Sequence, residues 1–284
     1  MEIKSLSNTD FSTLYKASNQ AFADYEIQLN DVQLQAMLKR RGFIPDLSFA
    51  AFEGNEIVSF TFNGIGTFNG ISTAYDTGTG TLKEYRGKGL ATKIFEYSIP
   101  YLKEENIEQY LLEVLQHNTK AVSVYKKIGF ETTREFYYFT QKNEEVNLET
   151  KTATALLCSI KPIDIEQYNS ISDFWDFHPS WQNSLASIKR VRENFICLGA
   201  FIGQNLAGYC VFDPVSGDVT QLAVDRQYRR RGIASLLFQK IVKLNENEAI
   251  KVINTDISHH SITEFLKAKN ITPKGKQFEM ILKL

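Results

Sequence analysis

Apolar and polar positions change period many times along the chain, and the changes come in the same order twice. Ile3 and Leu6 mark a short strand within residues 1–6, and Asn8, Thr9 and Asp10 offer N-caps for a helix with Phe11, Leu14, Ala17 and Phe22 on one face. A second helix is expected over 31–41, a strand over 48–52, and a return strand from Ile57 after the Glu53-Gly54-Asn55-Glu56 turn. Asn69-Gly70 signals another hairpin, followed by a strand over 71–82. Leu90, Ile94, Phe95, Ile99 and Leu102 form a helical stripe that Pro100 is expected to kink or end early. A buried strand over 110–115, a helix from Asn118 closed by Gly129, and a strand from Phe130 to about Thr140 complete the first series.

Residues 141–154 are polar and weakly patterned, as a linker would be, and alternation resumes over 156–163. A helical stretch is read over 164–191, then a hairpin of strands 194–202 and 205–212, a strand over 217–225, and a helix over 233–243. A strand over 250–255, a helix over 258–269 and a strand over 277–284 follow. This is an internal repeat of whole elements, so two domains are expected, over 1–143 and 154–284.

One motif recurs at the same place in each series. Tyr85-Arg86-Gly87-Lys88-Gly89-Leu90-Ala91 and, 143 residues later, Tyr228-Arg229-Arg230-Arg231-Gly232-Ile233-Ala234 each join a strand to a helix. A cationic, glycine-bearing loop at a helix start suits an anion, because the first N–H groups have no intrahelical partner and the dipole adds positive charge. The strand before the first loop carries Asp76 and then Thr77-Gly78-Thr79-Gly80-Thr81, and glycines there suggest a bulge or the close approach of a ligand. Neither loop has the Gly-Lys-Ser/Thr or Gly-x-Gly-x-x-Gly pattern of common nucleotide sites.

Composition narrows the class. The chain has 284 residues with 43% apolar and 23% charged side chains, an ordinary globular mix, with no apolar run of membrane-spanning length and no signal-peptide pattern. Residues 1–145 carry 15 Lys and Arg against 19 Asp and Glu, and residues 146–284 carry 17 against 14. The net charge of −1 splits as −4 and +3, too even for general nucleic-acid binding. Three irregularly spaced cysteines read as reduced thiols in a cytoplasmic protein, and four histidines without ligand spacing point to no metal centre.

The two loops, with Leu112-Glu113-Val114, Asn118, Tyr125 and Gly129-Phe130 downstream of the first, resemble the GNAT superfamily of acyl-CoA-dependent N-acetyltransferases. Arg86, Gly89 and Ala91 meet that family's Arg/Gln-x-x-Gly-x-Gly/Ala signature, as do Arg229, Gly232 and Ala234. The resemblance implies an α/β fold of two tandem domains, each a mixed, mostly antiparallel twisted sheet flanked by helices. It implies acetyl-CoA as cosubstrate, with pantetheine along Thr79, Gly80 and Thr81 and pyrophosphate at Arg86, Gly87, Lys88, Gly89, Leu90 and Ala91. Asn118 would bond the pantetheine and Tyr125 would protonate the leaving thiolate. The counterparts at the second loop are Leu222, Val224, Arg230, Arg231, Gly232 and Ala234.

A primary ammonium must lose a proton before it attacks a thioester, which a carboxylate can accept; Glu113 is the first candidate base and Asp76 the second. Asp24, Tyr25 and Glu26, between the first two helices, are candidates for the acceptor site of a small-molecule or peptide amine. The register of Gly129-Phe130 with Asn270-Ile271 sets Leu266 opposite Tyr125, Asn254 opposite Glu113 and His259 opposite Asn118. The second domain is therefore expected to bind CoA or a related anion without catalysis, or to be structural, with Asp256 and His259 or His260 as an alternative acid–base pair. Trp175, Phe177 and Trp181 read as aromatic core or as a pocket wall. The alternative for the whole chain is a non-catalytic acyl-CoA sensor or interaction protein.

Overall fold

Local chemistry starts and stops most elements. The Asp10 side chain accepts from the Thr13 N–H and opens α1 (Phe11–Ala21). Asn30 and Gln33 form a reciprocal capping box on α2 (Asp31–Arg41), which ends at Gly42 with φ 79°. Asn118 caps α4 (Thr119–Ile128), and Gly129 closes it at φ 110°. The helix between them, α3 (Leu90–Glu104), does not end at Pro100 but runs through it. Buried Ile94 and Phe95 before the proline, and Leu102 after it, hold the helix to the sheet across the missing hydrogen bond.

A computed structural model describes residues 1–25, 28–149, 158–168 and 170–284; Glu26, part of the predicted linker and the start of the strand expected from 156 lie outside them. The described residues form two compact units. One gathers Met1–Arg134, Ser184–Val191 and Phe278–Leu284, and the other Glu135–Asn183 and Arg192–Gln277. Each is an α/β unit with a mixed sheet, mostly antiparallel.

In the first unit β1 (Glu2–Ser5), β2 (Phe49–Glu53), β3 (Glu56–Phe68) and β4 (Ile71–Thr81) pair antiparallel in order, and β5 (Gln109–Leu115) joins β4 in parallel. The β4–β5 register covers only Thr73↔Gln109, Ala74↔Tyr110 and Tyr75↔Leu111, after which the two strands splay. The β3–β4 register shifts between Phe62↔Gly78 and Asn63↔Asp76, so Thr77 forms a bulge beside the splay. One core cluster joins Leu14, Leu34, Phe60 and Phe62, and another joins Phe95, Tyr110, Tyr125, Phe130 and Met280.

The second unit repeats this plan with β6 (Glu131–Lys142, from Glu135 onward), β7 (Cys158–Pro162), β8 (Ile196–Ile202), β9 (Asn205–Asp213), β10 (Asp218–Val224) and β11 (Ala249–Asp256), in the order β6-β11-β10-β9-β8-β7. Among the described residues of this unit only β10 and β11 pair in parallel, in register at Asp218↔Lys251, and a shift between Val219 and Gln221 repeats the bulge. Helices α6 (Ile233–Leu244) and α7 (His260–Ala268) occupy the places of α3 and α4. The strand β12 (Pro273–Lys283) gives Phe278 onward to the first unit.

The helix expected over 164–191 is not there. The segment forms short 3-10 turns at Ile165–Gln167, Ile171–Phe174 and Trp181–Asn183, and one true helix, α5 (Leu185–Arg190). Asp164 takes the Glu166 N–H with its side chain and Ser184 takes the Ser187 N–H, local bonds that compete with a continuous helix, and Pro179 interrupts it outright. Among the described residues no helix is long and apolar enough to cross a membrane.

Candidate active site and its repeat

The first glycine loop is built by backbone geometry. Gly87 and Gly89 sit at φ 77° and 73°, and Gly89 is the N-cap of α3 without any side-chain cap. A Cβ at either glycine would meet nothing within 4 Å, so the turn itself is what calls for glycine. The uncapped N–H groups of the first turn form a cradle for an anion. Gly80 differs: a Cβ there would meet the Phe60 ring at 2.5 Å and Ala21 at 3.0 Å, so its glycine serves packing.

Arg86 faces inward from the loop. Its guanidinium forms a fork with Asp24 at 2.6 and 2.8 Å and also donates to the carbonyls of Ala21 and Thr81. The hydrogen bond from Arg86 holds the Asp24 carboxyl down to about 2. The structure thus joins a predicted cofactor residue to a predicted acceptor residue, and tethers the segment after α1 to the loop. Tyr25 is half exposed and packs edge-on against Phe22, and the Lys88 ammonium lies 4.6 Å from the centre of the Tyr85 ring.

Past the splay, Thr79, Gly80 and Thr81 pair with β3 on one edge only, which leaves the other edge of β4 open to an added extended chain. Asn118 Oδ1 accepts the Ala121 N–H at 3.3 Å, so this side chain serves first as the N-cap of α4.

Four titratable side chains meet at the splay. Tyr125 Oη donates to Asp76 Oδ2 at 3.3 Å, and Thr79 Oγ1 donates to the same oxygen at 2.9 Å. Burial pushes the Asp76 carboxyl up to about 6 against these hydrogen bonds. Burial first, and then the Asp76 charge, raises the Tyr125 phenol well above its ordinary value. Tyr75 precedes Asp76 on the strand and therefore points to the other face, where its Oη donates to Glu113 Oε2 at 2.8 Å. The two candidate bases lie on opposite faces of the sheet: Asp76 with Tyr125, and Glu113 with Tyr75. The residues alone did not reveal Tyr75; its place directly before Asp76 on the strand was the available signal.

The second unit keeps the frame and changes the chemistry. Gly232, at φ 83°, is the uncapped N-cap of α6, and Arg230 takes φ 63° where the first loop has Gly87. Arg229 reproduces the Arg86 tether, donating to Asp176 at 2.7 Å and to the carbonyls of Val224 and Phe174. A cavity of about 600 Å³ is lined by Leu222, Val224, Arg230, Gly232 and Ala234, and also by Trp175 and Phe177. Arg231 stacks 5.6 Å from the Tyr228 ring, and Trp181 is buried core. Leu266 and Asn254 are fully buried, and Asn254 lies at φ 57° within β11. Asp256 Oδ1 accepts from the N–H and hydroxyl of Ser258, with His259 3.9 Å away, so this carboxylate shapes the turn before α7.

Two strand–loop–helix turns, each beside a splayed pair of parallel strands, define an α/β class in which an uncapped helix N-terminus stands next to a sheet edge. The sequence profile of the acetyltransferase (GNAT) family matches residues 11–130 and 160–266, and the chain belongs to that family.

Among related sequences, the chain is 27% identical over 96 residues to N-alpha-acetyltransferase 30 of Schizosaccharomyces pombe, a match covering 34% of this chain and 64% of that protein. It is 38% identical over 56 residues to the uncharacterized N-acetyltransferase YobR of Bacillus subtilis, covering 20% of this chain and 23% of the other. The chain thus spans less than two thirds of the length of these relatives. Among solved structures, a tandem GNAT protein from the clavulanic acid biosynthesis pathway superposes with TM-score 0.74 at 12% identity, over 99% of this chain and 98% of that one. A GCN5-related N-acetyltransferase from Sphaerobacter thermophilus gives TM-score 0.74 at 11% identity, over 99% and 95%. The fold is that of a tandem GNAT protein.

Proposed function

We propose that the first unit, with its reacting groups within residues 1–143, transfers acetyl from acetyl-CoA to an amine by direct attack. The observation that carries this reading is the meeting of Asp76 and Tyr125 at the β4–β5 splay, next to an uncapped helix N-terminus. The N–H groups from Gly87 to Ala91 hold the pyrophosphate, with Lys88 close by, and the open edge of β4 at Thr79 to Thr81 pairs with the pantetheine arm. Asn118 adds a donor through its amide nitrogen.

Asp76 accepts the proton that the attacking nitrogen loses, and a pKa of about 6 leaves it mostly ionised at neutral pH yet basic enough to work. Tyr125 gives its proton to the departing sulfur and recovers one from Asp76 along their hydrogen bond, so the site returns to its starting state. A strand N–H at the bulge is the natural donor to the tetrahedral oxygen.

A second arrangement, with Glu113 as base, is favoured by one observation: Tyr75 already donates to it, on the face of the sheet opposite Asp76. The acceptor is a small-molecule or peptide amine, and the names of the similar N-alpha-acetyltransferases favour a peptide α-amine. Tyr25 stands exposed beside the Arg86 tether and is the candidate for meeting it, with Asp24 as its anchor. Buried, unpaired Cys197 and Cys210 suit a cytoplasmic protein.

A thiol-release assay over a panel of peptide and small amines, run from pH 5 to 9, tests the assignment. Asp76→Asn is expected to remove the limb that rises through about pH 6, while Glu113→Gln keeps it. The opposite pattern assigns the base to Glu113, and an unchanged profile in both variants refutes both assignments.

A further inference from the structure

No step of the chemistry proposed above uses α2, yet its last residue reaches the bulge beside which that chemistry stands. We infer that Arg41 is a positioning residue for the acyl transfer, a role that rests on Asp76 as the base: through the Thr77–Gly78 peptide it holds the β4 bulge and so fixes Asp76 against Tyr125.

The end of α2 is docked where the bulge lies. Gly42 turns the chain at φ 79°, and Phe43 then bridges Gly64 on β3 in the antiparallel sense. The Ile65 N–H donates to the Gly42 carbonyl at 3.0 Å, and the Ile44 N–H donates to the Asn63 carbonyl at 2.9 Å. A Cβ on Gly64 would stand 2.0 Å from the Arg41 carbonyl and 3.3 Å from the Thr77 methyl, so this close approach calls for glycine on β3. Arg190 of α5, in the same unit, donates to the Arg40 carbonyl at 3.3 Å and steadies the last turn of α2. Arg41 is thereby set beside the β3–β4 register shift at Phe62 and Asn63. From there its guanidinium donates to the Thr77 carbonyl at 2.6 Å. Thr77 is the bulged residue and is buried, and its hydroxyl donates to the Phe62 carbonyl at 3.0 Å. A bulged residue stands outside the regular ladder, so a buried carbonyl there needs a donor from elsewhere.

The Thr77 carbonyl and the Gly78 N–H belong to one peptide plane. A cation that donates to the carbonyl polarises that plane and strengthens its N–H as a donor. Burial dominates at Asp76 and raises its carboxyl to about 6; against it act hydrogen bonds from Thr79 and Tyr125, then the Gly78 N–H, then the Arg41 charge. Arg41 thus bears on this carboxyl twice, as a charge and through the peptide. Tyr125 from α4 and Tyr110 from β5 also face Asp76, and Tyr75 precedes it on β4. Burial holds all three phenols well above their ordinary value, so they stay neutral at pH 7. Glu113 lies with Tyr75 on the opposite face. The hydrogen bond from Tyr125 to Asp76, at 3.3 Å, is already long, and a small displacement of the bulge breaks it.

An NMR titration of the carboxyl carbons of the full chain tests this without relying on turnover; the Asp76 signal is the one that Asp76→Asn removes. It should titrate near pH 6 in wild type and higher in Arg41→Met, which keeps the apolar stem but loses the donor and the charge. Arg41→Lys, with a charge and a donor, should return it toward the wild-type position. Arg41→Gln, which is neutral, reports the same upward shift should Arg41→Met fold poorly. In the thiol-release assay, kcat of Arg41→Met should fall by up to roughly a hundredfold, the loss that a misplaced reacting group can cause. The KM for acetyl-CoA should hold, and the rising limb of the pH profile should move up with the Asp76 signal. An Asp76 signal that stays put in folded Arg41→Met or Arg41→Gln overturns the inference, because a side chain that only supports packing lowers the denaturation midpoint and leaves that titration alone. Were Asp76 not the base, Asp76→Asn would keep the limb while the Asp76 signal still moved with Arg41; the hold on the bulge would then stand and the base alone would fall.

Discussion

Asp76 has two opposed effects. Its carboxyl titrates at about 6 in the folded protein against an ordinary value of 3.8, so the folded state binds its proton more tightly than the unfolded chain does. Stability attributable to this group is therefore present below about pH 4 and is lost as pH rises through about 6, and the gap between those two values is worth up to about 3 kcal/mol. Asp76→Asn should raise the stability of the first unit at pH 7 by a sizeable part of that amount while lowering turnover. Denaturant midpoints at pH 4 and pH 7 check it, because the stabilisation should appear only at the higher pH. Tyr125→Phe should leave coenzyme A affinity close to wild type and reduce kcat by roughly a hundredfold, the lower end of the range for a positioned acid. Single-turnover kinetics would expose a role confined to packing, because kcat would then follow the stability loss and not the identity of the leaving thiol. Both side chains were readable in the sequence as chemistry-bearing positions. Their pairing was not, because it joins residues 49 apart across a bulge whose register no hydrophobic pattern encodes.

The glycine loop lies at the other extreme of legibility. Positive φ at Gly87 and Gly89 and the start of α3 depend on a few consecutive residues, so the sequence announces them. Gly89→Ala should cost about 1–2 kcal/mol from left-handed strain alone, since its Cβ would meet open space. Thermal denaturation should record that loss, and coenzyme A affinity should fall with it as the cradle N–H groups lose their alignment. The segment between β7 and β8 reads less well. Ile165, Ile171, Phe174 and Trp181 suggest a helical face, but side-chain bonds from Asp164 and Ser184 divide the chain into turns. That division is what lets Asn183 reach the Ile253 carbonyl on β11, a contact that a continuous helix would not make.

At the scale of the molecule, the internal repeat was visible as a recurring order of elements, whereas the membership of the units was not. Met280 is fully buried in the first-unit cluster with Phe95, Tyr125 and Phe130, and Glu279 takes a 2.6 Å ion pair from Arg134 within that unit. Met280→Ala should destabilise the first unit by about 2–5 kcal/mol, and removing residues 278–284 should abolish its turnover even with residues 1–143 intact. Limited proteolysis followed by the thiol-release assay distinguishes this from a self-sufficient first unit, which would stay resistant and active.

The assignment of Phe278–Leu284 to the first unit also sets an order of events during synthesis. That segment leaves the ribosome 144 residues after Arg134, roughly 7–30 s later at ordinary rates of elongation. Until then the nascent first unit lacks its closing strand, with the face around Phe95 and Phe130 uncovered, and a chaperone that shields apolar surface has that interval in which to act. Transfer activity on stalled nascent chains should therefore switch on only after codon 284 has been read and its residue has cleared the exit tunnel.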